Sequence, residues 1–453
     1  MNQDTENTAS ARSVSPSTPT ESKVAEKPQA PQPPSFPEGG LQAWSTVLGA
    51  FLFQFSTFGF VNAFGVFNDF YVREYLNEQT SSDIGWIGSV QLFITLSMAI
   101  VTGRLFDRGY FHHLMIAGSV VFVFCAFMLS LSHEHKYYQV FLSHGLGIGL
   151  GTGLGYLPSL GIGAHYFFQK RPLVMGIISA GAPMGAVIHP IMLNKLIHGS
   201  LGFHNAVRAN AGMNAGLLII ANLLVRTRLP PKPNPGFVPV REFAKDLPYL
   251  SALAGGFLTL VSLFYPIFFI QLDDTVHGID PNFAFYSVSI LQAANFFGRI
   301  IPQLMLPYIG LFNLQLVCTT SSTALVFSMI AVTTVGGTIP FTILYGFFSG
   351  ATISLVPPLF ATFARNFGEV GVRMGLGIFL GGLGGLIGVP IDGALLTSHF
   401  VWWRPAVFSG VRIPIPLPPS IPPIPPRVLL AAASLFFLGS RMGVASRKGT
   451  QKV

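Results

Sequence analysis

The stretch HYFFQKRPLVMGIISAGAPMG, His165 to Gly185, sets the basic pair Lys170 and Arg171 directly before an apolar run. The run carries three glycines, at Gly176, Gly181 and Gly185. Cytoplasmic loops of membrane proteins collect Lys and Arg, and small residues let membrane helices approach closely. The stretch therefore predicts the cytoplasmic start of a membrane helix and a close packing face along it.

The composition of the whole chain agrees with a membrane protein. Of its 453 residues, 50% are hydrophobic and only 10% are charged. A soluble protein of this size exposes far more charge, so most of the chain must face lipid or other membrane helices. The net charge of +8 comes from basic residues that lie between apolar segments. We interpret them as topology signals and expect no nucleic-acid partner.

Apolar segments divide the chain into twelve predicted membrane-spanning helices, since roughly 20 apolar residues cross a bilayer core. The predicted spans lie near 43–67, 84–103, 112–132, 138–164, 171–194, 209–226, 248–272, 283–306, 313–335, 338–363, 371–397 and, for a broken twelfth span, from 401. The expected fold is therefore an all-α, polytopic membrane protein.

Polar segments divide the chain further. Residues 1–36 have almost no large apolar side chains and are predicted to be a disordered cytoplasmic tail. The Pro-rich, basic segment 227–247 is predicted to be a cytoplasmic linker between two halves of six helices, 37–226 and 248–440. Residues 441–453 are predicted to be a second cytoplasmic tail.

Loop charges indicate the orientation of the spans. Basic residues follow even-numbered spans: Arg104, Arg108, Lys170, Arg171, Arg226, Arg228, Lys232, Arg241, Lys245, Arg365 and Arg373. Acidic residues follow the first and seventh spans: Asp69, Glu74, Glu78, Asp83, Asp273, Asp274 and Asp280. Loops that follow even-numbered spans are therefore predicted to be cytoplasmic, and so are both termini.

Residues 411–427, VRIPIPLPPSIPPIPPR, interrupt the predicted twelfth span with eight prolines. Proline removes backbone donors and clashes with the preceding turn, so no membrane helix continues through this segment. Our hypothesis is that residues 412–426 come from a gene-model error, such as a retained intron. The alternative is an external loop between two short helices, and sequencing the transcript distinguishes the two.

Two motifs resemble signatures of the monocarboxylate transporter family, a branch of the major facilitators. The first is PEGGLQAW, residues 37–44, in which Leu41 stands where the family has an aromatic residue. The second is the opening stretch, where Gln169 replaces a basic residue and the matching positions are Tyr166, Phe167, Lys170, Arg171, Gly176, Ala180, Gly181 and Gly185. The resemblance covers residues 37–410 and implies two six-helix halves around a solute path.

The segment GRLFDRG, residues 103–109, resembles the major-facilitator loop that closes a cytoplasmic gate between the second and third helices. The resemblance implies gating roles for Arg104, Asp107 and Arg108; the alternative is an ordinary solvated turn. Lys170 and Arg171, at the cytoplasmic start of the fifth span, are expected to belong to the same gate.

Arg299 lies at membrane depth in NFFGRIIP of the eighth span, where a charge costs at least about 2.5 kcal/mol. The resemblance implies that this Arg pairs with a substrate carboxylate, but the family's proton-coupling Asp, four residues earlier, is Asn295 here. A Lys that many animal members carry in the first span is Asn62. We therefore expect Arg299, Asn295 and Asn62 to contact solute; the alternative is a structural Arg that snorkels to the cytoplasmic edge.

Asp392, in GVPIDGALL of the eleventh span, is a second charge at membrane depth. Burying a carboxylate is costly, so this residue is a candidate for proton coupling in place of the missing Asp. Two alternatives stay open. Asp392 pairs with a basic residue, or the helix ends nearby and the carboxylate is solvated.

The resemblance implies a secondary transporter that moves a small organic solute by alternating access. The solute is expected to be a monocarboxylate-like anion, a vitamin or a secondary metabolite, because the long tail and Asn295 resemble fungal members. The rivals are a solute sensor of the same fold and, if the insert is real, an inactive transporter.

The expected partners are the solute, the lipid bilayer and, if Asp392 couples transport, a proton. No catalytic, phosphate-binding or metal motif is found, so we expect no enzyme activity, cofactor or metal site. The protein is expected in the plasma membrane, with an internal membrane such as the vacuolar one as the alternative.

Overall fold

The structure is a computed structural model that describes residues 37–229, 243–364, 369–396 and 402–410. The predicted tails, most of the linker and the Pro-rich insert lie outside these residues. All regular secondary structure in the described part of the chain is helical. The prediction of an all-α, polytopic membrane protein is confirmed.

The helical segments, in chain order, are α1 Leu41–Tyr75, α2 Asp83–Asp107, α3 Phe111–Leu129, α4 Tyr137–His165, α5 Arg171–Ile197, α6 Gly202–Leu224, α7 Leu247–Val276, α8 Pro281–Ile309, α9 Leu311–Ala331, α10 Val335–Ala361, α11 Val370–Leu396 and α12 Trp403–Gly410. Ten of them, all except α8 and α12, are long and apolar enough to cross a membrane. The segment α8 has 29 residues and corresponds to the predicted eighth span. Only eight residues of α12 are described.

Two helices continue past their predicted ends. The helix α1 runs on to Tyr75 and closes with a π-helical turn, while α7 runs on to Val276. Asp273 and Asp274 were predicted to lie in a solvent-facing loop, and that prediction is wrong. Both lie buried in the last turn of α7. Hydropathy ends a span at its first charges, but neighbouring helices cover these carboxyl groups.

Glycines of the opening stretch let α5 lie against α1. A Cβ at Gly181 would collide with the carbonyl of Phe51, and a Cβ at Gly185 would collide with the carbonyl of Phe55. The two helices therefore touch backbone to backbone, as small residues allow in membranes. The close packing face predicted from the sequence is confirmed.

The two halves meet on the side of the basic loops. A Cβ at Gly176 of α5 would lie 2.5 Å from the carbonyl oxygen of Arg299 in α8. A Cβ at Gly375 of α11 would lie 3.0 Å from the carbonyl oxygen of Ala99 in α2. Because these residues lie towards the ends of their helices near the basic loops, the bundle is closed on the side of the basic loops, which the sequence predicts to be cytoplasmic.

Candidate solute-binding site

A cavity of about 730 Å³, measured with its open mouth, lies between the two halves. The three predicted contact residues, Asn62, Asn295 and Arg299, all line it. Further lining residues, which the sequence did not single out, include Phe58, Tyr156, Thr259, Phe264 and Gln292. The cavity is thus mostly apolar, with a few polar groups from both halves, as is typical of small-molecule sites.

Arg299 is the charged group of this cavity, and its side chain is held from two directions. Its Nε donates to Asn295 Oδ1 at 3.0 Å, and its Nη1 donates to the carbonyl oxygen of Ser179 in α5 at 2.8 Å. Arg299 is only 5% exposed, so it does not snorkel to the cytoplasmic edge. No group in the described residues accepts a hydrogen bond from Nη2. The fixed guanidinium therefore keeps donors for a solute.

Asn295 and Asn62 are positioned by local bonds. Asn295 Nδ2 donates to Ser349 Oγ of α10 at 3.2 Å, which turns its amide oxygen to Arg299. Asn62 Nδ2 donates to the carbonyl oxygen of Phe58 at 2.9 Å, where α1 changes its helical pitch. Both amides are thus fixed at the cavity wall, and neither supplies a titratable group.

Asn62 also separates this cavity from a second one of about 440 Å³. The second cavity shares Asn62 and Ile267 with the first and is otherwise lined by Ala63, Gly65, Val66, Pro190, Phe268, Gln271, Phe285, Val288 and Ser289. These residues lie closer to the acidic loops than those of the first cavity. The two cavities in series therefore lead away from the closed side of the basic loops.

The predicted gating residues lie at the end of the bundle that carries the basic loops. Arg104, Arg108 and Lys170 are exposed, and Arg171 is half-buried. Asp107, also half-buried, lies against α11 of the other half, because a Cβ at Gly371 would be 2.5 Å from its Oδ2. Of the five predicted gating residues, Asp107 is thus the one that this contact places where the two halves meet.

Gly176 touches the other half of the bundle, whereas Gly181 touches its own half. A larger residue at Gly176 should therefore change the conformation of the protein. A valine at Gly176 should hold the halves apart on the cytoplasmic side at a cost of about 1–3 kcal/mol, which shifts the population by roughly 5- to 150-fold. We expect Asn62→Cys, in a background without the native cysteines, to react more slowly with an impermeant maleimide from outside. The matched variant Gly181→Val should lower thermal stability instead. Unchanged labelling in Gly176→Val protein would contradict the closure described here.

Glu38 joins the two sequence motifs, a link that the sequence did not predict. Its Oε1 accepts from the backbone N–H groups of Phe168 and Gln169, each at 2.7 Å, and its Oε2 accepts from Lys170 N–H at 3.3 Å. Trp44 packs edge-on against Phe167, with ring centroids 5.3 Å apart. The acid of the first motif therefore holds the loop that starts α5. Burial opposes ionisation, but these N–H donors and the Lys170 charge lower the pKa of Glu38.

Replacing Glu38 by alanine should cost about 1 kcal/mol, the scale of a lost helix cap. We expect a lower unfolding temperature and faster tryptic cleavage after Lys170. Since the pKa of Glu38 is lowered by folding, its stabilisation is complete above the unfolded pKa and is lost as the pH falls through the folded value. Wild type and Glu38→Ala should therefore differ at neutral pH and converge as the pH falls through the lowered pKa of Glu38. Glu38→Gln, which keeps one acceptor oxygen, should lie between them; equal unfolding temperatures at neutral pH would refute this role.

Asp392 is fully buried and lies outside the cavity around Arg299. Ser409 Oγ of α12 donates to its Oδ1 at 2.9 Å, and α11 continues beyond it to Leu396. The alternative of a solvated helix end is therefore wrong, because α12 covers the carboxyl group. In the described ranges, no three His, Cys, Asp or Glu side chains lie close enough together to hold a metal ion.

Comparison with known proteins assigns the family. Residues 46–408 match the model described as Major Facilitator Superfamily. The aspyridones efflux protein apdF of Emericella nidulans is 39% identical over 387 residues, 85% of this chain and 78% of that protein. The agnestins efflux protein AgnL12 of Paecilomyces divaricatus is 37% identical over 402 residues, 87% of this chain and 90% of that protein. The MFS-type transporter dbaD of E. nidulans is 38% identical over 376 residues, 82% of this chain and 84% of that protein.

The matched region contains both halves and every residue of the cavity between them. The relatives are named as transporters or efflux proteins, not as enzymes. The chain therefore belongs to the Major Facilitator Superfamily and is a fungal-type membrane transporter of small organic solutes.

Proposed function

We propose that the protein exports an organic metabolite bearing a carboxylate, an enolate or a similar acidic group. The observation that carries the proposal is Arg299, a buried guanidinium with donors left for a ligand at the wall of the cavity between the halves. A planar guanidinium binds such oxygen pairs through two parallel hydrogen bonds. Export, instead of import, is supported by the relatives that are named efflux proteins.

The lining of the cavity supports a solute that combines an acidic group with an apolar ring system. Phe58 and Tyr156 stack with ring centroids 5.0 Å apart and offer an apolar surface for a flat ring system. A secondary metabolite with an acidic group fits both this surface and Arg299.

The same proposal places the chain in the monocarboxylate-type branch, at the plasma membrane, with transport by alternating access. The hydrogen bonds between Glu38 and the loop that starts α5 support this branch, because they join the two motifs that resemble its signatures. The proposed cytoplasmic gate consists of Arg104, Asp107, Arg108, Lys170 and Arg171. Asp392 is the proposed proton-coupling group, supported by its burial away from any Lys or Arg partner among the described residues.

A metabolite export screen tests the proposal. Cells of a metabolite-producing fungus that lack the transporter are given wild type, Arg299→Gln or Gly216→Ala; a Cβ at Gly216 would meet open space, so the last variant is the matched control. Mass spectrometry then compares the medium with the cells. We expect an acidic metabolite to accumulate in the medium with wild type and Gly216→Ala but to stay inside cells with Arg299→Gln. Indistinguishable profiles for all three would overturn the proposal.

A further inference from the structure

Two adjacent carboxyl side chains are buried at the non-cytoplasmic end of α7. Asp273 is 2% exposed and Asp274 is 1% exposed. They lie in the last turn of the helix, where the carbonyl ends of the helix already carry partial negative charge. Among the described residues, no Lys or Arg forms an ion pair with either one. Two ionised carboxylates in this position would be strongly disfavoured.

Each hydroxyl group around Asp274 has one proton for two acceptors. Thr338 Oγ1 of α10 lies 2.8 Å from Asp274 Oδ1 and 3.1 Å from the carbonyl oxygen of Thr334. Ser287 of α8 also hydrogen-bonds the Asp274 side chain, and its hydroxyl lies 2.8 Å from the carbonyl oxygen of Ala284 as well. Asp274 Oδ2 receives no donor from the described residues.

A proton on Asp274 resolves this arrangement. The neutral acid donates one hydrogen bond, and the neighbouring hydroxyl oxygens offer lone pairs to receive it. Thr338 is then free to donate to the carbonyl oxygen of Thr334. The polar surroundings of Asp274 therefore fit a carboxylic acid better than a carboxylate.

Asp273 connects this position with the surface. Its Oδ1 lies 3.2 Å from His277 Nδ1, and the His277 side chain is 29% exposed. Its Oδ2 has no donor among the described residues. The His277 ring lies next to Trp402, with centroids 6.4 Å apart.

The other groups that face the pair are identified by the helices around it. Tyr265 of α7 has its hydroxyl near both Asp273 and Asp392 of α11, and His277 directly follows α7. The helices α8 and α10 contribute the uncharged Ser287 and Thr338. Trp402, directly before α12, lies beside His277, and Ser409 of α12 lies on Asp392.

We propose that Asp273 and Asp274, with His277 as their exposed partner, form a proton-binding site that is reached from the non-cytoplasmic side. At least one proton resides on the two carboxyl groups while the cytoplasmic side is closed. This site is separate from Asp392 and from the Arg299 cavity. The presence of a proton on these carboxyl groups does not rest on the proposed export function. The use of that proton to drive transport does rest on it.

Infrared spectroscopy of the purified full-length protein in lipid nanodiscs tests directly whether the Asp273 and Asp274 carboxyl groups carry a proton from the buffer. The C=O stretch of a protonated carboxyl group is resolved from the bands of carboxylates and amides. At neutral pH we expect this band to weaken in Asp274→Asn and further in the Asp273→Asn/Asp274→Asn double variant. Asp280→Asn, which changes an N-terminal cap of α8, is the control and should leave it unchanged. An unaltered band in the double variant would overturn the proposal.

Thermal unfolding gives a second readout that does not depend on the infrared band. Asparagine imitates a neutral carboxylic acid, so Asp274→Asn should keep the wild-type unfolding temperature at neutral pH. If Asp274 were instead an ionised carboxylate held by donors, the same change would lower that temperature, and the proposal would be wrong.

Coupling is tested in proteoliposomes, with the acidic metabolite found by the export screen as the probe. The double variant should retain counterflow, which needs no net proton movement, but respond less to a pH gradient than wild type, because Asp392 remains as the other proposed coupling group. A gradient response equal to that of wild type would reject the role of this site in coupling. Failure of the export function itself would look different, since wild type would then show no counterflow.

Discussion

Replacing Arg299 by glutamine should abolish net transport while the protein still folds and reaches the membrane. The solute loses its charge-assisted hydrogen bonds to the guanidinium, which contribute about 1.5–3 kcal/mol each, or roughly 10- to 150-fold in affinity. Glutamine keeps an apolar stem and donor groups in the cavity, so the walls need not collapse. Initial transport rates over a range of solute concentrations, normalised to folded protein by size-exclusion chromatography, measure the effect.

Two further variants at this site separate charge from geometry. Arg299→Lys keeps the charge but lacks the planar fork that now reaches Asn295 and the carbonyl oxygen of Ser179, so intermediate transport is expected. Asn295→Asp would set a carboxylate about 3.0 Å from Arg299 Nε, at the position of the present amide oxygen. That carboxylate competes with an anionic solute, so binding should weaken at neutral pH and recover as acid protonates it. Wild-type transport by Arg299→Gln would rule out the proposed contact.

Replacing Arg373 by alanine should cause the largest loss of stability. The side chain is 1% exposed; its Nη1 lies 3.1 Å from Asp246 Oδ2 and its Nε lies 3.1 Å from Glu369 Oε2. Its guanidinium also stacks over the ring of Phe243, 4.3 Å from the centroid. Losing the cation breaks the buried ion pair between Arg373 and Asp246, and breaking such a pair typically costs about 3–5 kcal/mol.

The unfolding temperature and the yield of monodisperse protein measure this loss. The matched control is Arg404→Ala, because Arg404 is exposed and should change stability by no more than about 0.5 kcal/mol. The double variant Arg373→Ala/Asp246→Asn should recover part of the loss, since it also removes the buried carboxylate charge that faces Arg373. Equal unfolding temperatures for Arg373→Ala and Arg404→Ala would show that the ion pair does not stabilise the fold.

Much of the fold follows from local patterns in the sequence. Apolar length located the helices, and the basic pair marked the start of α5, because both signals depend on neighbouring residues alone. Arg299 was recognised because a charge at membrane depth needs an explanation. The convergence of Asn62 and Asn295 on the same cavity followed from the family resemblance, since nothing in their own surroundings distinguishes them from other polar residues of a membrane helix.

The remaining features of the fold and of the candidate site depend on contacts between segments far apart in the chain. Tyr156 and Gln292 resemble ordinary helix residues until the two halves are brought together around them. Arg373 was assigned to a loop because hydropathy cannot show that Asp246, 127 residues earlier, neutralises it. Asp273 and Asp274 were also assigned to a loop, because two adjacent acidic residues normally lie in solvent. Here neighbouring helices cover both of them.

Counterflow in proteoliposomes tests the central claim most directly. Vesicles containing purified protein are loaded with the unlabelled metabolite from the export screen and diluted into a trace of the labelled form. Exchange through the cavity predicts transient accumulation of label with wild type and none with Arg299→Gln. Saturable binding of the metabolite to wild-type protein without any accumulation of label would contradict transport and indicate a solute sensor with the same fold.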